Sequence, residues 1–295
     1  MSLMELLQQQ PSYFNHKFLI FISIWIFGLG ACVGSFLNVV IWRMPRGKSV
    51  VSPPSHCPQC QHKLAWFENI PVISWCFLRG KCRSCKLPIS VKYPIGELLT
   101  AFLYLLIWGK VVFNDEPLFF AFNYLSITFF LIAVFFIDRE HRIIPNKLTY
   151  TMMIYGLIFS TIFPQVTYLK FATNNFYGFL CSLGGLLVGG LFFGILATLG
   201  ELIFKKEALG WGDVKYLAGV GAILGLPGIF FTVFFGSLLG SIYGIGLIIF
   251  KKGTLKTFVP FGVFLVLGTL IWILAGAYIW EQYDLLIASL KTKSL

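Results

Sequence analysis

Apolar runs of ~20 residues, each long enough to cross a bilayer, recur along this chain and leave it few ways to fold. The reading places eight spans, at 18–42, 93–113, 118–138, 148–164, 176–204, 212–226, 229–250 and 259–280. In lipid a spanning segment must pair its own backbone groups, so each run is expected to be a helix. The first run is too long for a signal-peptide core and has no small-residue cleavage site, so it is read as a retained span. The sixth is the shortest, which sets the charged residue at its start, Asp213, below the level of the headgroups. The composition agrees: 57% of the 295 residues are hydrophobic and 12% charged, against about half and a quarter in a soluble domain. The expected fold is an all-α polytopic membrane protein with about eight transmembrane helices and one small loop domain between the first two.

The net charge of +11 raises the question of nucleic acid, but its distribution answers differently. With the N-terminus outside, the inner segments are 43–92, 139–147, 205–215 and 251–257. They hold 18 of the 23 Lys and Arg residues. Basic residues gather in cytoplasmic loops, so both termini are expected outside, the partner is a lipid bilayer, and no nucleic acid is expected. Only the segment 43–92 has room for a folded unit.

That segment contains Cys57-x-x-Cys60 and, 21 residues later, Cys82-x-x-Cys85. Two such pairs form a zinc signature, because each turn offers two sulfurs to one tetrahedral ion. Disulfides are rare in a cytoplasmic loop, and the competing reading is a redox site or unrelated thiols. Four thiolates leave no position for water, so the expected role is structural. His56 and His62 flank the first pair as ordinary loop histidines or substitute ligands. Cys32, Cys76 and Cys181 read as small apolar residues.

The chain has four aspartates. Asp115 and Asp284 fall in outer segments and read as solvated. Asp138 ends the third span and Asp213 opens the sixth, both at the inner membrane edge, where an ionisable residue is a functional candidate. Two facing carboxylates that share one proton can act as a general base on water and a general acid toward a carbonyl. The bland alternative is a pair of interfacial charges. It suits Asp213, which lies near a helix N-terminus, but not Asp138 at a C-terminal end, where Arg139 and Arg142 would have to offset the cost. Gly210 and Gly212 are expected to let an extended backbone approach Asp213. Of the glutamates at this edge, Glu201 reads as structural, paired with Lys205 or Lys206. Glu97, one turn into the second span, is placed to orient a cationic or amine ligand.

The combined pattern resembles the prepilin peptidases, bifunctional leader peptidases and N-methyltransferases. "GWGDVKYL" is similar to their GxGD motif, with Leu209 where Met or a similar residue is usual. "GSFLNVVIWRMPRG", the four-cysteine loop, "KYPIGELLTA", "FIDREHRIIPNKLT" and "VPFGVFLVLGTLI" are similar to the other family segments. The resemblance implies cleavage of the basic leader of a type IV prepilin, or of a pseudopilin of type II secretion or competence, after a glycine on the cytoplasmic side. It then implies methylation of the new N-terminal residue, usually Phe, by S-adenosylmethionine, in a bacterial inner membrane. Asp138 and Asp213 match the catalytic pair, and Cys57, Cys60, Cys82 and Cys85 the metal cysteines. The domains would then be 1–42 (tail and first span), 43–92 (methyltransferase-associated zinc loop) and 93–295 (seven-span peptidase).

No G-x-G-x-x-G follows a strand, so the methyl-donor site is placed only by polarity and position, around Asn38, Arg43 and Glu97, with Glu68 and Asn69 nearby. Two other readings compete. Proteases of the presenilin or signal-peptide-peptidase type also use GxGD but leave the zinc loop unexplained. A transporter would use inner-edge carboxylates for ions and the loop for docking.

Overall fold

A computed structural model describes residues 3–167, 172–205, 209–250 and 260–293. The inner segment 251–257, Lys170 and Lys206 lie outside these residues. No β-strand occurs among the described residues, only two isolated bridges in the cysteine loop. The chain divides into two compact units, Met1–Ile137 and Asp138–Leu295. The first therefore takes in both the tail and the cysteine loop together with the helices that follow.

The first unit contains α1 (Leu3–Gln8), α2 (His16–Arg43), α3 (Ile73–Phe77), α4 (Lys92–Phe113) and most of α5 (Leu118–His141). The Asn15 side chain caps α2 by accepting the Lys17 N–H at 3.0 Å, which satisfies one of the unpaired donors at a helix start. α2 packs along α4. Gly30 and Gly34, one turn apart, make this close: a Cβ on either would lie 2.7 Å from a Cα of α4, that of Ala101 or Glu97. Small residues four apart are how apolar helices approach where lipid gives no hydrophobic drive. Asp115 accepts the N–H and hydroxyl of Ser12, both at 2.8 Å and at an exposed position. It ties the turn after α4 to the segment before α2.

The second unit contains α6 (Asn146–Ile162), α7 (Asn175–Leu187), α8 (Phe193–Phe204), α9 (Trp211–Ile249) and α10 (Phe261–Lys293). The expected span at 176–204 is α7 and α8 joined through a π-helical turn, Val188–Phe192. Asp284 falls within α10. The expected spans at 212–226 and 229–250 are the two arms of α9, which breaks at Gly225 (φ 66°, ψ −168°) just before Pro227. The first arm is the centre of the unit and packs against α6, α7 and α10. Gly185 and Gly221 meet backbone to backbone, and a Cβ on Gly156 would lie 2.6 Å from the Ala222 carbonyl carbon. The break frees that carbonyl from the regular helix pattern, and the hydroxyls of Ser160 and Ser182 donate to it, at 3.1 and 2.6 Å.

Among the described residues, five helices are long and apolar enough to cross a membrane by length and composition: α2, α4, α5, the α7–α8 rod and α9; Phe261–Gly276 of α10 is shorter. Large apolar side chains such as Ile24, Trp25, Phe102 and Phe230 point outward, as lipid-facing positions do. The protein is a multi-pass membrane protein.

Gly225 occupies a conformation essentially reserved for glycine, and an added Cβ would come 2.9 Å from the Thr167 carbonyl. Gly225→Ala is expected to cost ~1–3 kcal/mol, seen as a lower thermal midpoint in detergent; an unchanged midpoint would count against the broken helix.

Candidate active site and metal centre

Asp138 lies in the last turn of α5 and is 6% exposed. Its Oδ2 accepts the N–H of Val263 at 3.1 Å, the third residue of α10. A helix start has N–H groups without intrahelical partners, and its dipole favours an anion there. The carboxylate that closes α5 thus serves as a cap for α10. This answers the objection to an anion at a helix C-terminus, and the charge of nearby Arg142 adds to it.

Asp213 is the third residue of α9 and half-buried; its N–H donates to the Gly210 carbonyl at 3.0 Å. Gly262 shows how the two aspartates stand. A Cβ on it would lie 2.8 Å from Oδ2 of Asp138 and 3.1 Å from Oδ1 of Asp213. The two oxygens are therefore within about 6 Å of each other, inside the range where like charges couple. Such a pair, partly withdrawn from water, can divide base and acid roles over one proton.

The flanking glycines differ in function. A Cβ on Gly210 would stand 3.3 Å from Oδ2 of Asp213, so its absence keeps that carboxylate open. Gly212 faces Ile144, whose Cβ would be 3.1 Å away. It seats α9 against Ile144, and of the two glycines it is Gly210 whose missing Cβ lies beside the Asp213 carboxylate. Lys215 donates to the Asn146 side chain at 2.9 Å, joining the starts of α9 and α6. One turn deeper, the buried Tyr216 and Thr232 hydroxyls meet Thr269 Oγ1 at 2.7 and 3.1 Å and hold α9 to α10. Sequence reading missed Gly262 and this hydroxyl group. A glycine or threonine in an apolar run carries no signal of its own, although Gly262 follows Pro260 and Phe261 at a span entrance.

In the first unit, the sulfurs of Cys57, Cys60, Cys82 and Cys85 all lie within 4.8 Å of one another, with Cys57–Cys85 and Cys60–Cys82 at 3.9 Å. A tetrahedron with ~2.3 Å metal–sulfur bonds has edges of ~3.8 Å, so the cluster fits a metal ion. The two turns are built alike. The Cys57 N–H donates to the His62 carbonyl and the Cys82 N–H to that of Leu87, both at 2.9 Å. Each second cysteine is followed by a residue at positive φ, Gln61 or Lys86. The His62 backbone holds the Cys60 thiol below its ordinary range. Cys85 is pushed up to about 11, because burial and the neighbouring sulfurs outweigh the Leu87 N–H. The histidines are engaged elsewhere: His56 Nδ1 with the Pro54 carbonyl at 3.0 Å and His62 Nε2 with Glu68 at 3.1 Å. Glu68 also accepts the Ala65 N–H, which with His62 holds its carboxyl below the usual range.

The three residues placed near a methyl donor are each bonded to backbone. Asn38 donates to the Tyr93 carbonyl at 3.2 Å, Arg43 to carbonyls in the segment 49–54, and Glu97 accepts the Val72 N–H at 2.7 Å. Glu201 is exposed.

Metal analysis of the purified protein is expected to find about one ion per chain, as a single tetrahedral thiolate site would hold. Cys82→Ser should lose most of it, and metal content unaffected by that change would reject the cluster as a site.

Residues 28–111 match the family model described as the bacterial peptidase A24 N-terminal domain, and 125–245 match that of the type IV leader peptidase family. The chain is 39% identical to the prepilin leader peptidase/N-methyltransferase of Myxococcus xanthus, over 80% of this chain and 64% of that protein. It is 34% identical to the protein of the same name from Aeromonas hydrophila, over 90% of this chain and 94% of that one. An Escherichia coli protein named type 4 prepilin-like proteins leader peptide-processing enzyme is 36% identical over 81% of this chain and 88% of its own length. No solved structure matches the chain. With 34% identity across 94% of the Aeromonas hydrophila relative, and two neighbouring family matches, the chain belongs to the type IV leader peptidase family.

Proposed function

We propose that this protein cleaves the leader from type IV prepilins, or from pseudopilins of type II secretion or competence, and N-methylates the residue exposed, usually Phe. The observation that carries the peptidase half is the convergence of Asp138 and Asp213 on Gly262. In this reading one carboxylate takes a proton from water while the other donates one to the scissile carbonyl. Collapse of the tetrahedral intermediate breaks the C–N bond and returns a proton to the leaving amine. The open side at Gly210 admits the substrate backbone to Asp213. The relatives' names favour this chemistry over ion transport.

The topology belongs to the same proposal. Eight crossings, counting α6 and each arm of α9, put both termini outside and the carboxylates and cysteine loop in the cytoplasm, as 18 of 23 basic residues on the inner segments favour. The membrane is the bacterial inner membrane. The ion is zinc, held by Cys57, Cys60, Cys82 and Cys85 in a closed structural site. The methyl donor is S-adenosylmethionine, bound within the first unit near Asn38, Arg43 and Glu97. It supplies an electrophilic methyl group, whose transfer leaves a thioether and releases one proton from the amine.

The test incubates purified protein in detergent with a prepilin, with and without S-adenosylmethionine, and reads products by mass spectrometry. Asp138→Asn and Asp213→Asn should each lower cleavage by ~10²–10⁴-fold; cleavage surviving both changes would reject the pair. Gly262→Ala, which puts a methyl group between the carboxylates, should cut cleavage at least tenfold, yet leave methyl transfer to a pre-cleaved pilin intact. Equal loss of both activities would reduce Gly262 to a packing residue.

A further inference from the structure

We propose that the methyl donor binds in a cavity of about 310 Å³ between the inner half of α2 and two loop segments, 50–55 and 69–71. The inference rests on the methyl-transfer half of the function proposed above and gives it a location. The volume falls within the ~300–1,000 Å³ of small-molecule sites. Ser35, Val39 and Arg43 of α2 form one side, and Pro53, Asn69 and Pro71 lie among the loop residues facing it.

Two buried charges hold those loops in place. Arg43, 7% exposed, donates from its guanidinium to the carbonyls of Ser49 at 3.1 Å, Pro53 at 2.7 Å and Pro54 at 3.5 Å. Glu97, 8% exposed, accepts the Val72 N–H at 2.7 Å. Val72 has φ 62° and ψ −52°, and the Ile73 N–H closes a three-residue turn onto the Pro71 carbonyl at 2.6 Å. That turn is the rare, strained form of γ-turn, and a β-branched residue is poorly suited to positive φ. Such strain persists only where the surroundings enforce it, and it gathers at ligand clamps. Here the clamp presents Asn69 and Pro71 to the cavity. A buried charge is costly unless it is paired or hydrogen-bonded; both charges here are used to shape the walls of one cavity.

The lining suits a sulfonium nucleoside. Val39, Pro53 and Pro71 offer apolar surface to an adenine ring. The Asn69 amide offers hydrogen bonds to ring or ribose, the Ser35 hydroxyl is held by Glu97 and lines the wall, and the charge of Arg43 faces the methionyl carboxylate. Asn38 and Glu97 then act on the donor through the walls they position.

Isothermal titration of the full chain in detergent with S-adenosylmethionine tests this, with leader cleavage of a prepilin measured on the same preparations. Wild type should bind one equivalent. Asn69→Ala should weaken binding at least tenfold, and Val39→Trp, which fills the cavity, should leave none measurable. Variants that bind as wild type overturn the location. Wild type that cleaves prepilin without binding the donor overturns the inference and leaves the peptidase standing. Wild type that binds with the expected variant pattern but cleaves nothing overturns the peptidase half instead. If Val39→Trp also loses cleavage it is misfolded, and Asn69→Ala decides.

Discussion

The N–H of Val263 is bonded to a carboxylate 125 residues earlier in the chain. Where lipid excludes water, an unpaired N–H at a helix start is expensive, so this bond stabilises the start of α10 as well as orienting Asp138. It also brings Gly262 against both aspartates. The first arm of α9 then has to deliver Asp213 to the same point, and it is held to do so from three sides. Gly185 of α7 meets Gly221, Gly156 of α6 meets Ala222, and Thr269 of α10 meets Tyr216. Stability and site geometry share these contacts, so a substitution in the apolar interior of the second unit acts on the carboxylates as well.

The parts legible in the sequence were those with a period or a chemical cost. Twenty apolar residues in a row imply a spanning helix. Two C-x-x-C pairs imply a shared ion, and four aspartates in 295 residues leave few candidates for a pair. What stayed hidden depends on contacts between distant segments. Gly262 is one glycine among 29, and only the approach of Asp138 and Asp213 distinguishes it. Gly212 lies beside a carboxylate in sequence, yet its space is taken by Ile144. The bond between Asp115 and Ser12 was hidden because the two lie 103 residues apart. The turn at Val72 goes against the preference of the residue that makes it, so local propensity argued for something else.

The cysteine turns show a related conflict between local preference and tertiary demand. Gln61 and Lys86 take positive φ where glycine would be easier. The loop between the turns carries Asn69 and the Val72 turn, and it has little apolar core with which to hold them. A metal bound by four thiolates contributes folding free energy to such a segment. The cysteines and the loop walls near α2 are therefore parts of one construction, though they stand far apart in their chemistry.

The break at Gly225 leaves the first arm of α9 with roughly 14 residues, a rise of ~21 Å, against an apolar bilayer core of ~30 Å. Neighbouring helices enclose this arm, so protein and not lipid fills the difference. Asp213 stands at one end of the short arm, and the packing of those helices, not the acyl chains, sets how far water must travel to reach it.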